Sequence, residues 1–236
     1  MSALLKVEGL EAFYGASQIL HGVDLAVMGG EQVALIGRNG MGKTTLLRAL
    51  LGLVPDRRGR LTFRGRDIVQ AAPEAIARAG LALVPEGRGV FGSLSVTENL
   101  VMAAREGSEG RLTWTLPRIF ELFPRLRARR NNGGHQLSGG EQQMLTIGRA
   151  LMTNPDMILI DEATEGLAPL VAQDIWRTLA VIRGEGIATI VVDKDFCSLS
   201  RIADRMVLLS KGTVVFDGAP TALAAQPELL ERHLGV

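Results

Sequence analysis

The stretch Gly37-Arg-Asn-Gly-Met-Gly-Lys-Thr-Thr45 constrains the fold of this chain more than any other part of its sequence. It fits the pattern G-x-x-x-x-G-K-[ST], it follows an apolar run that ends at Ile36, and it opens a helical pattern. Glycines let a backbone wrap closely around phosphate groups, and the amides at a helix start point at the bound anion. The order of strand, glycine loop and helix therefore predicts an α/β core with a phosphate-binding loop.

The residues of this loop have separate expected roles. Lys43 is expected to neutralise charge on the β- and γ-phosphates of a nucleotide, and Thr44 to hold magnesium through its hydroxyl. The residues expected to bind the nucleotide are Gly37, Asn39, Gly40, Gly42, Lys43, Thr44 and Thr45. From this motif alone, a glycine-rich turn with a chance Lys-Thr pair remains an alternative.

A second apolar run, residues 157–160, ends in two neighbouring carboxylates, Asp161 and Glu162. An Asp at the end of such a strand can hold the water shell of magnesium, and a Glu after it can accept a proton from an attacking water. A solvated turn is the alternative for paired acids in general. Because an apolar run precedes this pair and the chain already carries a phosphate loop, we predict that Asp161 is a metal ligand and that Glu162 is catalytic.

Apolar runs and helical patterns alternate along most of the chain. The runs that predict buried strands are residues 33–36, 81–84, 157–160 and 188–192, and the predicted helices are residues 43–53, 73–79, 170–182 and 221–230. This alternation predicts an α/β fold with a mostly parallel sheet. Residues 4–7 and 61–64 are predicted as additional strands, at an antiparallel edge.

The middle of the chain has a different pattern, because residues 96–151 show helical signals and no convincing strand. Ser95 and Glu98 have the spacing of a capping box, residues 118–127 carry apolar side chains at helical spacing, and a further helix is predicted at 138–152. We therefore predict one domain, residues 1–236. It would consist of a nucleotide-binding core, residues 1–85 and 155–236, and an inserted helical subdomain, residues 86–154.

Charge, cysteine content and hydropathy exclude several classes of protein. The formal net charge of +1 is too small to indicate a nucleic-acid partner, so none is expected. Cys197 is the only cysteine, which rules out an internal disulfide, and we interpret it as a small residue that fills the core. No signal peptide is expected, and no run reaches the roughly 18 apolar residues that a membrane helix needs. If the protein acts at a membrane, other chains must cross it.

The segment Leu137-Ser-Gly-Gly-Glu-Gln-Gln143 opens the helix at 138–152 and carries the resemblance to a known family. Ser138 is a suitable N-cap, and the glycines leave backbone amides open to an anion. The segment resembles the LSGGQ signature of the ABC transporter ATPases. That resemblance implies that ATP and Mg²⁺ are bound, and that two such subunits pair head to tail. It also implies that Ser138, Gly139 and Gly140 close over the nucleotide in the other subunit's phosphate loop.

Other landmarks of the ABC ATPases follow in order over essentially the whole chain. Tyr14 stands where family members place an aromatic residue that stacks on adenine, although a surface turn residue is the alternative. Asp161 and Glu162 match the Walker B Asp and the catalytic Glu, and residues 166–169 take the place of the D-loop.

A finer resemblance, in Val84-Pro-Glu-Gly-Arg88 and Gly166-Leu-Ala-Pro169, is to the ATPases of branched-chain amino-acid importers. It implies transmembrane permease subunits as partners, a second ABC ATPase that is identical or related, and indirectly a solute-binding protein. The expected location is the cytoplasmic face of the membrane, where the chain is peripheral. Urea and amide importers share much of this pattern and remain alternatives. An exporter and a soluble ABC ATPase that acts on DNA or ribosomes are further alternatives.

Four positions depart from the usual family pattern: Glu86, Ala163, Ala168 and Lys194. Two of them bear on the expected site. Glu86 replaces the usual Gln in the loop after the third strand, and we expect it near the metal. Lys194 replaces the usual switch His after the strand at 188–192. A charged Lys can donate to a phosphate but cannot accept a hydrogen bond from water. We predict an electrostatic catalytic role for Lys194. The alternative for this residue is a surface charge that pairs with Asp193 and Asp195, and a separate alternative for the chain is a regulatory subunit that hydrolyses ATP only weakly.

Residues 86–100 are expected to dock the membrane subunit, because apolar side chains such as Val90, Phe91 and Leu94 lie among loop residues there. The alternative is that Phe91 fills the junction between the core and the helical insertion.

Overall fold

The structure, a computed structural model, describes residues 2–235, except for the side chain of residue 109. The strands are β1 Leu5–Tyr14, β2 Ser17–Val27, β3 Gln32–Ile36, β4 Asp56–Phe63, β5 Arg66–Asp67, β6 Leu81–Val84, β7 Met157–Asp161, β8 Ala188–Val192, β9 Arg205–Ser210 and β10 Thr213–Gly218. The α-helices are α1 Lys43–Leu50, α2 Pro73–Arg78, α3 Val96–Val101, α4 Leu116–Leu122, α5 Pro124–Ala128, α6 Gly139–Met152, α7 Pro169–Gly184, α8 Phe196–Ile202, α9 Pro220–Ala224 and α10 Pro227–His233.

The larger sheet has the strand order β10-β9-β3-β8-β7-β6. β3 pairs in parallel with β8 and β9, and β7 pairs in parallel with β6 and β8, while the edge strand β10 runs antiparallel to β9. Every residue of β3, β7 and β8 is buried, which is why these strands read as continuous apolar runs. The four strands predicted from such runs are confirmed. Because the inner strands are parallel, the loops that follow them meet at one edge of the sheet.

The side chains on the two faces of this sheet belong to two different hydrophobic clusters. Along β3, Ala34 and Ile36 join a cluster with the helices that surround α6, whereas Val33 and Leu35 join a cluster with α1 and the second sheet. Side chains alternate across a strand, so a single five-residue strand serves both clusters. The sheet is therefore the middle layer of the molecule.

The strands predicted at 4–7 and 61–64 belong to a second sheet, of order β2-β1-β4-β5. They are antiparallel as expected, but they overlap only parts of the longer strands β1 and β4, which pair with each other. The other partner of β1, the strand β2, was not predicted. β2 pairs with β1 over most of its length, with register shifts near Leu10 and Phe13. Such irregularities interrupt the two-residue alternation by which a half-buried strand is recognised in a sequence.

Between β6 and β7, the described residues form helices α3 to α6, two short 3₁₀ turns and one isolated bridge, from Ser95 to Gly133. The capping box predicted at Ser95 and Glu98 is present, with the Ser95 N–H donating to Glu98 at 2.7 Å. Helix α6 packs against α3, α4, α5, α7 and β6. It is thus the element that connects the helical region to the sheet.

Two predicted helices are each broken in two, and both breaks precede a proline. The helix predicted at 118–127 is interrupted at Phe123, before Pro124, and the helix predicted at 221–230 is interrupted at Gln226, before Pro227. Proline disfavours the helical conformation of the residue before it and cannot donate to the preceding turn. The prediction of continuous helices was wrong at these two places.

Cys197 is exposed, so its interpretation as a residue that fills the core was wrong. It lies in the first turn of α8, beyond the end of β8, and the buried residue of that helix is Leu199. No helix within residues 2–235 is both long and apolar enough to cross a membrane.

Candidate functional site

The loop from Gly37 to Gly42 joins the carboxyl end of β3 to the start of α1. Gly37 has φ 146°, and a Cβ added there would lie 2.3 Å from the carbonyl oxygen of Leu209. Gly42 is the N-cap of α1, with φ 102° in the left-handed region that favours glycine. These two glycines let the loop pass close to β9 and turn into the helix. No side chain caps α1 and no acidic residue stands in its first turn, so its start suits an anion.

Lys43 is the first residue of α1 and turns back over this loop. Its Nζ donates to the carbonyl oxygens of Gly37, at 2.6 Å, and of Arg38, at 3.0 Å. Burial lowers the pKa of Lys43, and the nearby Asp161 carboxylate partly offsets that effect. The ammonium is therefore held on two backbone acceptors at the place where a phosphate would arrive.

Asp161 is the last residue of β7 and is only 3% exposed. Burial raises the pKa of Asp161, the Thr44 hydroxyl lowers it by hydrogen bonding, and the charge of Glu86 raises it further. Its Oδ1 is buried and has no hydrogen-bond partner. A buried carboxylate oxygen without a partner is costly unless a cation or donor reaches it. With the adjacent Thr44 hydroxyl, Asp161 offers the oxygen ligands that magnesium prefers, so these residues fit that ion.

Glu162 follows Asp161 in an uncommon backbone conformation, with φ 52°. Its Oε2 is buried without a hydrogen-bond partner. Carboxylate oxygens of Glu86, Glu162 and Glu165 all lie within 4.8 Å of one another. They border a cavity of about 260 Å³, together with Gly87, Arg88, Gln142 and Gln143. Glu162 therefore borders a cavity that has room for a water molecule.

Lys194 lies in the loop after β8 and forms an ion pair with Glu165, a residue that sequence reasoning missed. The hydrogen bond to Glu165 raises the pKa of Lys194, and the charge of Lys194 in turn contributes to the lowered pKa of Lys43. Asp193 fastens the same loop to the one after β7, since its Oδ2 accepts from Thr164 N at 2.8 Å and from Thr164 Oγ1 at 2.7 Å. A third acid shortly after Asp161 was the available signal for Glu165.

Ser138 is the N-cap of α6, as predicted. Its N–H and its hydroxyl both donate to Glu141 Oε2, at 2.8 Å each, and Arg129 forms an ion pair with Glu141 at 2.8 Å. Among the described residues, the hydrogen bonds of Ser138 stay within this helix start, and none reaches the phosphate loop. The structure thus brings Lys43, Thr44, Glu86, Asp161, Glu162 and Lys194 into one neighbourhood. Gln142 and Gln143, at the end of the signature segment, border the same cavity as Glu86 and Glu162, whereas Ser138 at its start does not reach the phosphate loop.

Arg88 is a second residue that sequence reasoning missed. A Cβ added at Gly139 would lie 2.7 Å from its Nη1, and its backbone has φ 68°, between two glycines that also have positive φ. At Gly140, an added Cβ would lie 2.3 Å from Val171 of α7. The glycines of the signature segment therefore admit neighbouring side chains from this same chain, in addition to any role toward a nucleotide.

Tyr14 lies at the turn between β1 and β2 and is 42% exposed. The strand after that turn reaches the phosphate loop, since an added Cβ at Gly42 would lie 3.1 Å from Leu20. Stacking of Tyr14 on adenine stays a prediction. Two histidines make structural contacts elsewhere, His135 with Gly92 O at 2.7 Å and His233 with Ser210 Oγ at 3.1 Å.

Comparison with known proteins decides the family. The model of the ABC transporter family matches residues 20–165, a span that includes the phosphate loop, the signature segment and the carboxylates at the end of β7. The chain belongs to the ABC transporter family. Within it, the chain is an ATP-binding subunit of the ATPase type, and such subunits work with transmembrane permease components.

Relatives within the ABC transporter family include proteins of import and of export systems. BraG of Pseudomonas aeruginosa, a high-affinity branched-chain amino acid transport ATP-binding protein, is 38% identical over 232 residues, which cover 98% of this chain and 100% of that protein. The lipopolysaccharide export protein LptB of Acidithiobacillus ferridurans is 33% identical over 237 residues, covering 100% and 98%. A nucleotide-free ATP-binding cassette from an ABC transporter superposes with a TM-score of 0.85, at 25% identity over 98% of both chains.

Proposed function

We propose that this chain binds ATP with magnesium and hydrolyses it to power the import of branched-chain or other hydrophobic amino acids. The observation that carries the hydrolytic part is the buried Asp161, whose carboxylate contacts Thr44, lies near Lys43 and keeps one oxygen without a partner. The proposed location is the cytoplasmic face of the cell membrane. The proposed partners are permease subunits, a second ABC ATPase and, indirectly, a solute-binding protein.

Each residue at the edge of the sheet has a distinct proposed task. The loop Gly37, Asn39, Gly40, Gly42, Lys43, Thr44 and Thr45 binds the phosphates, and Tyr14 stacks on the adenine. Thr44 and Asp161, with Glu86 nearby, hold magnesium, which when bound neutralises charge on the phosphates.

Glu162 accepts the proton of the attacking water through the carboxylate that borders the 260 Å³ cavity. Lys194 places a positive charge beside the terminal phosphate, where negative charge redistributes during transfer. Ser138, Gly139 and Gly140 act on the nucleotide of the partner ATPase, which accounts for their separation from the phosphate loop of their own chain.

The choice of amino acids as the solute rests on similarity. Identity to BraG is 38%, against 33% to LptB, and the alignments cover nearly the whole of each protein. Import of urea or amides is the first alternative, and export is the second. A regulatory subunit with weak hydrolysis is the third, which the absence of a switch His favours and the retained Glu162 opposes.

Transport into vesicles separates these alternatives. The chain is purified with its permease subunits and partner ATPase, reconstituted with the solute-binding protein, and supplied with ATP and radiolabelled leucine, valine or urea. We expect ATP-dependent leucine or valine uptake that Lys43→Ala abolishes. Urea uptake, outward movement of solute, or ATP hydrolysis no faster than that of Lys43→Ala would each contradict the proposed function.

We further propose that residues 86–100 and the groove beside them dock a permease subunit. A groove of about 560 Å³ lies between the sheet and the helical region, and residues of α2, β6, α6 and the loop at 85–89 line it. Phe91 is 44% exposed, which argues against the alternative that it fills the junction. The side chain of the buried Asn99 accepts a hydrogen bond from Phe91 N and donates one to Phe91 O, each at 3.0 Å. The Arg149 guanidinium stacks on the Phe91 ring at 4.7 Å from its centroid.

Phe91→Asp tests this docking role. The variant should lose co-purification with the permease and keep its ATP affinity, because the hydrogen bonds and ring contact of Phe91 involve Asn99 and Arg149, which are not proposed nucleotide-binding residues. Val215→Asp, on β10, is the matched control, since Val215 is 39% exposed. Normal co-purification of the folded Phe91→Asp protein would refute docking, and unfolding of this variant alone would favour a structural role.

A further inference from the structure

The ion pair between Lys194 and Glu165 lies at an exposed position, where it contributes little to the stability of the fold. The two side chains are 57% and 45% exposed, and ion pairs in such positions contribute little to folding. The pair joins the loop after β8 to the loop after β7. The hydrogen bonds from Thr164 to Asp193 already fix these two loops to each other. The pair is therefore not needed to hold these two loops together.

The surroundings of Glu165 are strongly acidic. Its carboxylate lies within 4.8 Å of those of Glu86 and Glu162, so three negative groups share the space beside the phosphate loop. Lys194 donates a hydrogen bond to Glu165, one of these three carboxylates. An incoming triphosphate, also strongly negative, would meet both this acidic group and the Lys194 ammonium.

Two ammonium groups of the site are held on acceptors of the protein itself. Lys43 donates to Gly37 O and Arg38 O, and Lys194 donates to Glu165. The groups are near enough that the charge of Lys194 helps to lower the pKa of Lys43. A phosphate chain bound at Lys43 therefore comes within the electrostatic reach of Lys194, and Glu165 is the group from which Lys194 must be drawn.

We propose that Glu165 competes with the terminal phosphate of ATP for the Lys194 ammonium and takes it back when that phosphate leaves. This inference rests on the proposed function, and it makes Glu165 a positioning residue that acts through Lys194. Removal of the Glu165 charge frees Lys194 for the phosphate, so ATP binds more tightly. The same change removes the group that recaptures Lys194 after hydrolysis, so phosphate release becomes slower.

Steady-state hydrolysis by the complex with its permease and partner ATPase gives the decisive pattern. Glu165→Gln should lower both KM for ATP and kcat, each by roughly threefold to tenfold, and Glu165→Asp should restore part of kcat. A residue that merely supports the fold would not lower KM. The matched control is Glu8→Gln, because the Lys6–Glu8 pair has similar exposures, 53% and 41%, and belongs to the second sheet. Both constants should stay unchanged in that variant.

A double-mutant cycle tests whether the effect of Glu165 on ATP binding depends on Lys194. In a Lys194→Ala background, Glu165→Gln should change KM by less than about twofold, because the competition no longer exists. An equal fall in KM in both backgrounds would overturn the proposal, since Glu165 would then act as a bare negative charge. A raised or unchanged KM in Glu165→Gln would overturn it as well.

The proposed function is judged separately, by whether the wild-type complex hydrolyses ATP and Lys43→Ala does not. If wild-type activity is present while the Glu165 variants behave like Glu8→Gln, only this further inference fails. If Glu165→Gln shows altered thermal unfolding, Glu165→Ala replaces it in the same double-mutant cycle. We expect the same lower KM for ATP and lower kcat from that variant.

Discussion

Helices α1 and α6 both begin at glycine-containing segments that the sequence associates with a nucleotide, yet the two helix starts differ in how they are capped. The N-cap of α1 is a glycine, no side chain caps that helix, and no acid stands in its first turn. The start of α6 is capped by Ser138, and Glu141 in its first turn accepts two hydrogen bonds from Ser138.

This difference means that the start of α1 can serve as an anion-binding site, whereas the start of α6 is already capped by its own side chains. The amides of α1 remain open, and Lys43 adds a positive charge, so this start can bind a phosphate chain by itself. At α6 a carboxylate already occupies the favourable place near the helix start. We infer that α6 contributes to nucleotide binding only when a second subunit presents a nucleotide that α1 of that subunit already holds.

Among the changes that compare the two helix starts, loss of the positive charge at α1 is expected to have the largest effect. Lys43→Ala should weaken ATP binding by at least about tenfold, because hydrogen bonds to charged groups contribute roughly 1.5–3 kcal/mol. Isothermal titration of the single chain measures this, with Lys6→Ala as a control on an exposed lysine. Equal affinities for the Lys43→Ala and Lys6→Ala proteins would break the distinction between the two helix starts.

At α6, Ser138→Ala should show the opposite combination. The free energy of unfolding should fall by about 1 kcal/mol, the usual cost of losing an N-cap hydroxyl. ATP affinity of the single chain should be unchanged, while turnover by the assembled transporter should fall. Chemical denaturation, titration and ATPase assays measure these three quantities. A weakened ATP affinity of the isolated chain would mean that α6 belongs to the nucleotide site of its own subunit.

The smallest effect is expected at Lys194, which lies at the exposed margin of the α1 site. Lys194→Ala should lower kcat by about fivefold and raise KM for ATP by less, because the charge acts mainly as negative charge redistributes during transfer. Lys194→His should retain measurable activity. Steady-state ATPase assays on the assembled transporter check both variants. Wild-type turnover by Lys194→Ala would reduce Lys194 to a surface charge and remove it from the α1 site.

Sequence reasoning located secondary structure where the physical signal is local. The loop 37–45 follows the fully buried β3, and Asp161 ends the fully buried β7 just before Glu162, so short runs of residues contain both the strand and the proposed site residues. The cap at Ser138 was predicted for the same reason, because a capping box spans only four residues.

Contacts between distant segments escaped prediction. The ion pair of Glu165 with Lys194 joins loops after two different strands, and the Arg88 guanidinium, from the loop after β6, lies against Gly139 at the start of α6. Neither contact leaves a spacing pattern in the sequence, since each depends on the register of the parallel sheet or on the position of α6. The breaks before Pro124 and Pro227 are different, because the rule for residues before proline could have located both.

We propose that the edge of the sheet beside α1 hydrolyses ATP, with Glu162 as the base. The most direct test is Glu162→Gln, which keeps the shape of the side chain and removes the proton acceptor, measured for ATP affinity and for hydrolysis in the assembled transporter. We predict that ATP still binds and that hydrolysis falls by roughly 10²–10⁴-fold, the usual contribution of general base catalysis. Hydrolysis at the wild-type rate by the folded Glu162→Gln protein would contradict the account.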